Sequence, residues 1–130
     1  MDFNTFKKGE ALLQQIDGNA GKAVMENLAD CAPDLGRFIV EFAFGDIYSR
    51  KGLSLQEREM ITVASLLTQG GCEAQLDVHI NGALNVGIVP EKIIEICIQC
   101  IPYVGFPKVL NAVFVAKRIF AERHIVLKCV

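Results

Sequence analysis

The sequence predicts an all-α protein, a compact bundle of about six to seven helices in a single domain, residues 1–130. Apolar residues recur at spacings of three and four, the period of an amphipathic helix, and not at the spacing of two that marks a strand. Glycine and proline divide the chain into segments of helix length. Hydrophobic residues make up 52% of the 130 residues, enough for a sizeable core in a chain of one-domain length.

Three helices are expected before residue 49. Residues 3–15 form an amphipathic segment that ends at the turn signal of residues 17–19, Asp-Gly-Asn. A second helix spans about residues 22–30. Pro33 suits the first turn of a third helix, which continues to about Tyr48.

The next helix begins at a capping box. Ser54 offers a hydroxyl to the first backbone N–H groups, and Glu57, three residues later, reaches back. The apolar arc that follows is wide, which predicts that this helix is central. Gly70 and Gly71 should end it.

Three further segments complete the predicted bundle. One helix runs from about Cys72 to Gly87, and another begins at Pro90. Residues 93–104 are apolar nearly all round, which predicts burial on every side, and Pro102 should kink or end the helix. The last helix spans about residues 107–123.

The composition excludes some functions and favours self-association. The net charge is −2 and the basic residues are scattered, so no basic face for nucleic acid is expected. The mean hydropathy of +0.34 is high for a small domain. No run reaches the roughly 20 apolar residues of a membrane span. The apolar excess therefore predicts a homo-oligomer formed through residues 59–69 and 91–120.

The cysteines indicate a reducing compartment. Their number is odd, and the chain starts without an apolar leader, so we expect reduced thiols in the cytoplasm. Two histidines and scattered thiols show no zinc spacing, so no metal is expected.

Cys97 and Cys100 lie inside the apolar segment and should be inert packing residues. Glu95 in the same segment should have a structural role, paired with Arg58 or Lys92 or shared across subunits. The five cysteines are Cys31, Cys72, Cys97, Cys100 and Cys129.

One helix face carries residues with chemical potential. Cys72 and His79 are seven positions apart, so they return to nearly the same face, with Gln75 between them. A thiol at a helix N-terminus can act as a nucleophile, and a histidine two turns later can exchange a proton with it or with a substrate. The same spacing also fits a small buried cysteine and a hydrogen-bonded core histidine. The pattern alone leaves both interpretations open.

Several short motifs follow one another between residues 53 and 120. They are Arg58-Glu59, His79-x-x-x-Ala83-Leu84-Asn85-x-Gly87, Glu91-x-x-x-Glu95, Tyr103-x-Gly105-x-Pro107 and Asn111-Ala112. In this order they resemble the carboxymuconolactone decarboxylase family, part of the alkylhydroperoxidase-like superfamily. The resemblance implies an all-helical enzyme, assembled as a trimer or hexamer, that binds a small-molecule substrate and needs no metal or organic cofactor.

The resemblance also implies roles for individual residues. A decarboxylase of this kind would remove CO₂ from a small lactone-carboxylic acid. His79 is the expected acid/base, and Glu59 would orient it. The other candidates line the substrate pocket or, for the arginines, hold a substrate carboxylate: Cys72, Gln75, Tyr103, Arg58 and Arg37.

Two alternatives remain at this point. Peroxidase members of the superfamily carry Cys-x-x-Cys-x-x-x-His with a preceding glutamate. Here Cys72, His79 and Glu59 match this pattern, but Gln75 occupies the position of the second cysteine. A Cys-x-x-Cys enzyme needs one thiol to attack the substrate and the second to form the disulfide that completes the reaction. The decarboxylase branch is therefore favoured over a thiol-dependent hydroperoxide reductase. The second alternative is a non-catalytic oligomeric binding module.

Overall fold

The computed structural model describes residues 3–128 and Val130. Every regular element in this part of the chain is helical, which confirms the predicted all-α class. The elements are α1 (Phe3–Leu28), α2 (Pro33–Phe38), a π-helix (Ile39–Tyr48), α3 (Leu55–Gln69), α4 (Glu73–Asn85), α5 (Pro90–Val104) and α6 (Phe106–Glu122). None of the described helices is both long and apolar enough to cross a membrane. Cys129 lies outside the described residues.

The described residues fall into two compact units, Met1–Leu55 and Gln56–Val130. The first contains α1, α2 and the π-helix. The second contains nearly all of α3 together with α4, α5 and α6. That the whole chain behaves as one domain stays a prediction.

Helix α1 changes direction at Gly18. The φ of 53° and ψ of −128° at this residue are far from helical values. A glycine adopts such angles without the steric penalty of a Cβ atom. The turn signal of residues 17–19 therefore acts as predicted, although helical residues continue directly on either side of it.

The third predicted helix is two different helices in the structure. The chain is α-helical from Pro33 to Phe38 and then widens to a π-helix that ends at Tyr48. The rings of Phe44 and Tyr48 stack within it, with centroids 4.8 Å apart. The apolar spacing of this segment fits an α-helix equally well, so the sequence pattern did not reveal the wider winding.

Two glycines let α1 approach the π-helix closely. A Cβ on Gly9 would overlap the carbonyl oxygen of Val40. A Cβ on Gly45 would meet the carbonyl oxygen of Thr5 at 2.6 Å. Neither position has room for a side chain, so backbone contact between these helices depends on both glycines.

The second unit has its own hydrophobic core. Helices α4 and α5 both pack against α6, which contributes the largest share of buried side chains. The buried cluster also takes two residues from α3. Its members include Val63, Leu67, Leu76, Ile80, Ile93, Cys97, Val109, Ala112, Ala116, Ile119 and Phe120. The predicted burial of Cys97 is thereby confirmed.

Two expectations about burial were wrong. Helix α5 is not buried on every side, because Ile98 is 41% exposed and Glu95 is also exposed. Glu95 makes no ion pair within the described residues of the single chain, so the pairing expected for it within one chain is not seen. Helix α3 is not central, because its buried face is narrow and Ile61 on another face is 55% exposed. The spacing of apolar residues shows which faces of a helix are apolar. It does not show which of those faces other helices of the same chain bury.

The helix ends follow the predicted signals, with one difference. Gly70 and Gly71 follow the last residue of α3, and both have positive φ. Pro102 lies inside α5, which continues two residues further and ends before Gly105. Because Pro102 lies in the last turn of α5, the helix ends two residues after it.

The close approach at Gly9 gives a stability prediction. In Gly9→Ala, the new methyl group must displace the Val40 backbone, so the free energy of unfolding should fall by about 2 kcal/mol. Urea unfolding followed by circular dichroism measures this loss. Gly52→Ala is the control, because nothing lies within 4 Å of a Cβ there. Equal stability of the two variants would contradict this packing.

Burial also predicts the reactivity of the thiols. Burial raises the pKa of Cys97 from 9.0 to about 11, with Cys100 nearby adding to the shift. Burial also raises the pKa of Cys100. Alkylation of the native protein at pH 8, mapped by mass spectrometry, should label half-buried Cys72 before either of them.

The pH dependence has a definite sign. Because the raised pKa of Cys97 belongs to the folded state, its contribution to stability is complete below pH 9 and is lost as the pH rises toward 11. Rapid labelling of Cys97 at pH 8 in folded protein would contradict both the burial and the predicted inertness.

Candidate active site

The clearest polar feature of the second unit is a pair formed by Glu59 and His79. The Glu59 side chain is 0% exposed, and its Oε2 lies 3.1 Å from Nδ1 of His79. The His79 side chain remains 20% exposed. A carboxylate in its ionised form only accepts hydrogen bonds, and in that form of Glu59 the donor of this bond is Nδ1–H of His79. The Nδ1 edge of the imidazole thus contacts the buried Glu59 carboxylate, while part of the ring stays accessible to solvent.

Helical spacing explains how each residue reaches this position. Glu59 precedes Val63 and Leu67 by four and eight residues, so it lies on the buried stripe of α3. His79 follows buried Leu76 by three residues and precedes buried Ile80 on α4. Both side chains therefore start from core-facing parts of their helices. The sequence placed both residues on helices but could not show that the helices bring them together.

Two hydrogen bonds hold the ends of α3 against its neighbours. In its first turn, Nε2 of Gln56 donates to the carbonyl oxygen of Val86, 3.0 Å away, just after α4. In its last turn, the carbonyl oxygen of Thr68 accepts from Nζ of Lys108 on α6, at 3.1 Å. These contacts tie the two ends of α3, the helix that carries Glu59, to the residue after α4 and to α6.

The sequence pattern did not single out Gln56 or Lys108 as functional positions. Both are exposed polar residues. In a periodicity analysis such residues look like an ordinary solvated helix face. In the structure each of these side chains passes close to a glycine: a Cβ on Gly87 would lie 3.1 Å from Nε2 of Gln56, and one on Gly70 would lie 3.1 Å from Cε of Lys108.

Cys72 directly precedes α4, as predicted, but its contacts lie in the preceding loop. Its Sγ is 3.5 Å from the carbonyl oxygen of Gly70 and 3.9 Å from Oε1 of Gln69. Seven residues of helix amount to about 10 Å of rise between Cys72 and His79. The structure therefore brings His79 to Glu59 and directs the thiol toward the glycine loop.

The other sequence candidates occupy different environments. Gln75 is exposed, and Tyr103 is 78% exposed, so neither is enclosed within one chain. Arg58 is half-buried next to Glu59 in the sequence, and its carbonyl oxygen accepts from the Thr62 hydroxyl at 2.8 Å. Arg37 belongs to the first unit, and its Nη2 lies 3.5 Å from Oδ1 of Asp34. The substrate-binding roles of these residues stay predictions.

An exposed ion-pair cluster links α4 to α6. Arg118 contacts Asp77 at 2.9 Å and Glu122 at 3.0 Å. The hydrogen bond to Asp77, and then that to Glu122, raises the pKa of the Arg118 guanidinium. Exposed pairs of this kind add little stability. The pair with Asp77 connects α6 to α4, the helix that carries His79.

The chemistry available at the pair is proton transfer. A histidine whose Nδ1 is bonded to a carboxylate can give or take a proton at Nε2 near neutral pH. Among the residues that the structure describes, no group of three or more histidine, cysteine, aspartate or glutamate side chains is arranged to hold a metal ion.

Comparison with known proteins gives a consistent family. Residues 33–118 match the model of the carboxymuconolactone decarboxylase family. The chain is 34% identical over 122 residues to 4-carboxymuconolactone decarboxylase of Acinetobacter baylyi, covering 93% of this chain and 90% of that protein. It is 29% identical over 80 residues to nitrosuccinic acid decarboxylase of Metarhizium robertsii, covering 62% of this chain and 55% of that protein.

A third relative is a 15.0 kDa protein of Paracoccus denitrificans, 27% identical over 99 residues, which cover 75% of this chain and 74% of that protein. The family match covers well over half of the chain, and the Acinetobacter baylyi protein matches it nearly from end to end. The chain therefore belongs to the carboxymuconolactone decarboxylase family.

Proposed function

We propose that this protein is a decarboxylase that removes CO₂ from a small lactone-carboxylic acid, with His79 as the acid/base. The observation that carries the proposal is the hydrogen bond between His79 and the fully buried carboxylate of Glu59. Two relatives whose names describe decarboxylases support the reaction type. The relative from Acinetobacter baylyi supports the substrate class.

The proposed reaction needs one proton donor of the chain. The bond between the carboxylate carbon and the lactone breaks, and its electron pair passes into the conjugated carbonyl group, which gives CO₂ and an enolate. The imidazolium of His79 then protonates the enolate on carbon from Nε2. His79 regains its proton from water, so the cycle balances in charge and atoms.

Glu59 has two effects on His79 in this scheme. Its carboxylate accepts from Nδ1, which fixes the ring orientation and assigns proton exchange to Nε2. Its negative charge also stabilises the imidazolium form that donates the proton. Arg58, half-buried beside it in the chain, is proposed to hold the substrate carboxylate before the bond breaks. Cys72, Gln75 and Tyr103 are proposed to line the rest of the substrate site.

Replacing the acid/base tests the proposal directly. His79→Gln keeps approximate size and hydrogen-bonding capacity but removes the titrating ring. Turnover of a lactone-carboxylic acid, followed by CO₂ release, should fall about a hundredfold or more. Glu59→Gln should also lower kcat and should shift the pH profile, because the carboxylate that stabilises the imidazolium is gone.

The chain offers a matched control in its other histidine. His124 is exposed, and His124→Gln should leave turnover within about twofold of the original protein. Full activity of a folded His79→Gln protein would remove the mechanism. If the protein instead consumes peroxide with a dithiol, and Cys72→Ser abolishes that activity, the chain is a thiol peroxidase. If it shows neither activity, the binding-module alternative holds.

We further propose that the protein works as a homotrimer or homohexamer. One face of α6 carries Phe106, Leu110 and Phe114 at intervals of four residues, and all three are exposed in the single chain. Tyr103 and Ile61 add further exposed apolar surface in the same unit. Such a stripe is what an obligate subunit interface covers. Exposed Tyr103 would then be enclosed by a second copy.

Sedimentation at micromolar concentration tests the assembly. The protein should sediment as a trimer or hexamer, and Phe114→Asp should dissociate it, because a charge on the apolar stripe opposes its burial. Gln15→Asp introduces the same charge at an exposed site on α1 and should leave the assembly intact. A stable monomer of the original protein would contradict the proposal.

A further inference from the structure

The first unit contains a cleft of about 900 Å³ that belongs to its own helices. The two halves of α1, bent at Gly18, supply walls through Phe6 and Leu13 on one side of the bend and Met25 on the other. Helix α2 contributes Gly36, where a Cβ would lie 3.3 Å from Sδ of Met25. All lining residues fall between positions 6 and 40, so none belongs to the Glu59–His79 pair.

The cleft joins an apolar interior to a cationic set of polar residues. Its hydrocarbon lining is of the kind found in small-molecule sites, and its volume lies in their usual range. The ionisable residues that line it are Lys7, Lys22, Arg37 and Glu10. Three cations against one anion leave an excess of two positive charges, whereas the whole chain has a net charge of −2. The local charge is therefore opposite in sign to that of the protein.

Arg37 provides a more specific observation. Its Nε is shut off from solvent and donates to no acceptor among the described residues. The contact with Asp34 goes through a different guanidinium atom, Nη2, at 3.5 Å. A buried donor without an acceptor is unfavourable and rare in native proteins. The Arg37 side chain as a whole lines the cleft and is 37% exposed, so a carboxylate in the cleft can reach its accessible part, and guanidinium groups bind carboxylates strongly.

We propose that this cleft is a binding site for an amphipathic carboxylate, with the hydrocarbon body between α1 and α2 and the carboxylate on Arg37. Lys7 and Lys22 add long-range attraction for the anion, and Glu10 disfavours a second negative charge on the ligand. Charge complementarity selects this occupant over an apolar peptide, which has no anion to place beside Arg37 and the two lysines.

Calorimetric titration with decanoate, below its micelle concentration, tests the site. We expect saturable binding with one ligand per chain. Decyltrimethylammonium has the same hydrocarbon length and the opposite charge, and it should bind about tenfold more weakly or not at all. Arg37→Gln should weaken decanoate binding by about tenfold or more. Lys51→Gln, at an exposed position of the same unit outside the cleft, should change it by less than about twofold.

A second variant separates loss of the site from loss of the fold. Ala11 lines the cleft but is itself exposed, so Ala11→Trp should fill the cleft and abolish binding while the circular dichroism spectrum stays unchanged. Absence of saturable decanoate binding, equal binding of the two amphiphiles, or full binding by folded Arg37→Gln or Ala11→Trp would each overturn the proposal. One further outcome would overturn the proposal. If the original protein does not bind decanoate and Ala11→Trp dissociates the oligomer, the cleft is a contact between copies of the chain.

Discussion

The buried carboxylate of Glu59 is the constraint on which the second unit depends. A charge removed from water destabilises a fold unless a partner and hydrogen bonds compensate for the lost hydration. His79 supplies that compensation from the neighbouring helix. The same bond fixes which nitrogen of the imidazole carries the proton. One interaction therefore joins α3 to α4 and orients the imidazole to which we assign proton transfer.

That bond works only if α3 is held in register. The backbone of α3 makes few close approaches to other helices, and side chains define its position. Gln56 and Lys108 hold its two ends by bonding to backbone carbonyls. Each of these side chains passes close to a glycine, Gly87 or Gly70, where any other residue would crowd it. The polar ends of the helix thus set the geometry of a site that lies nearer its middle.

The first unit uses glycine for a different purpose. Gly9 and Gly45 let two helices meet through their backbones, and Gly18 bends α1 so that its halves face each other. Close packing on one side and the bend on the other leave the cleft that contains Arg37. In the second unit, the apolar excess of the sequence remains visible as the stripe on α6. Both features are open to solvent in a single copy of the chain.

The sequence by itself determined the helical class and the breaks near Gly18, Gly70 and Gly87. These follow from local chemistry, because apolar period, glycine and proline act over a few residues. Only the tertiary structure decided that Glu59 meets His79, that Cys72 turns to its loop, and that the segment before Tyr48 winds as a π-helix. Each of these depends on which helix faces which, and residues twenty or more positions apart carry no periodic signal of their contact. The exposure of Glu95 and Ile98 has the same origin, because burial is a property of the assembled faces and not of the residues that compose them.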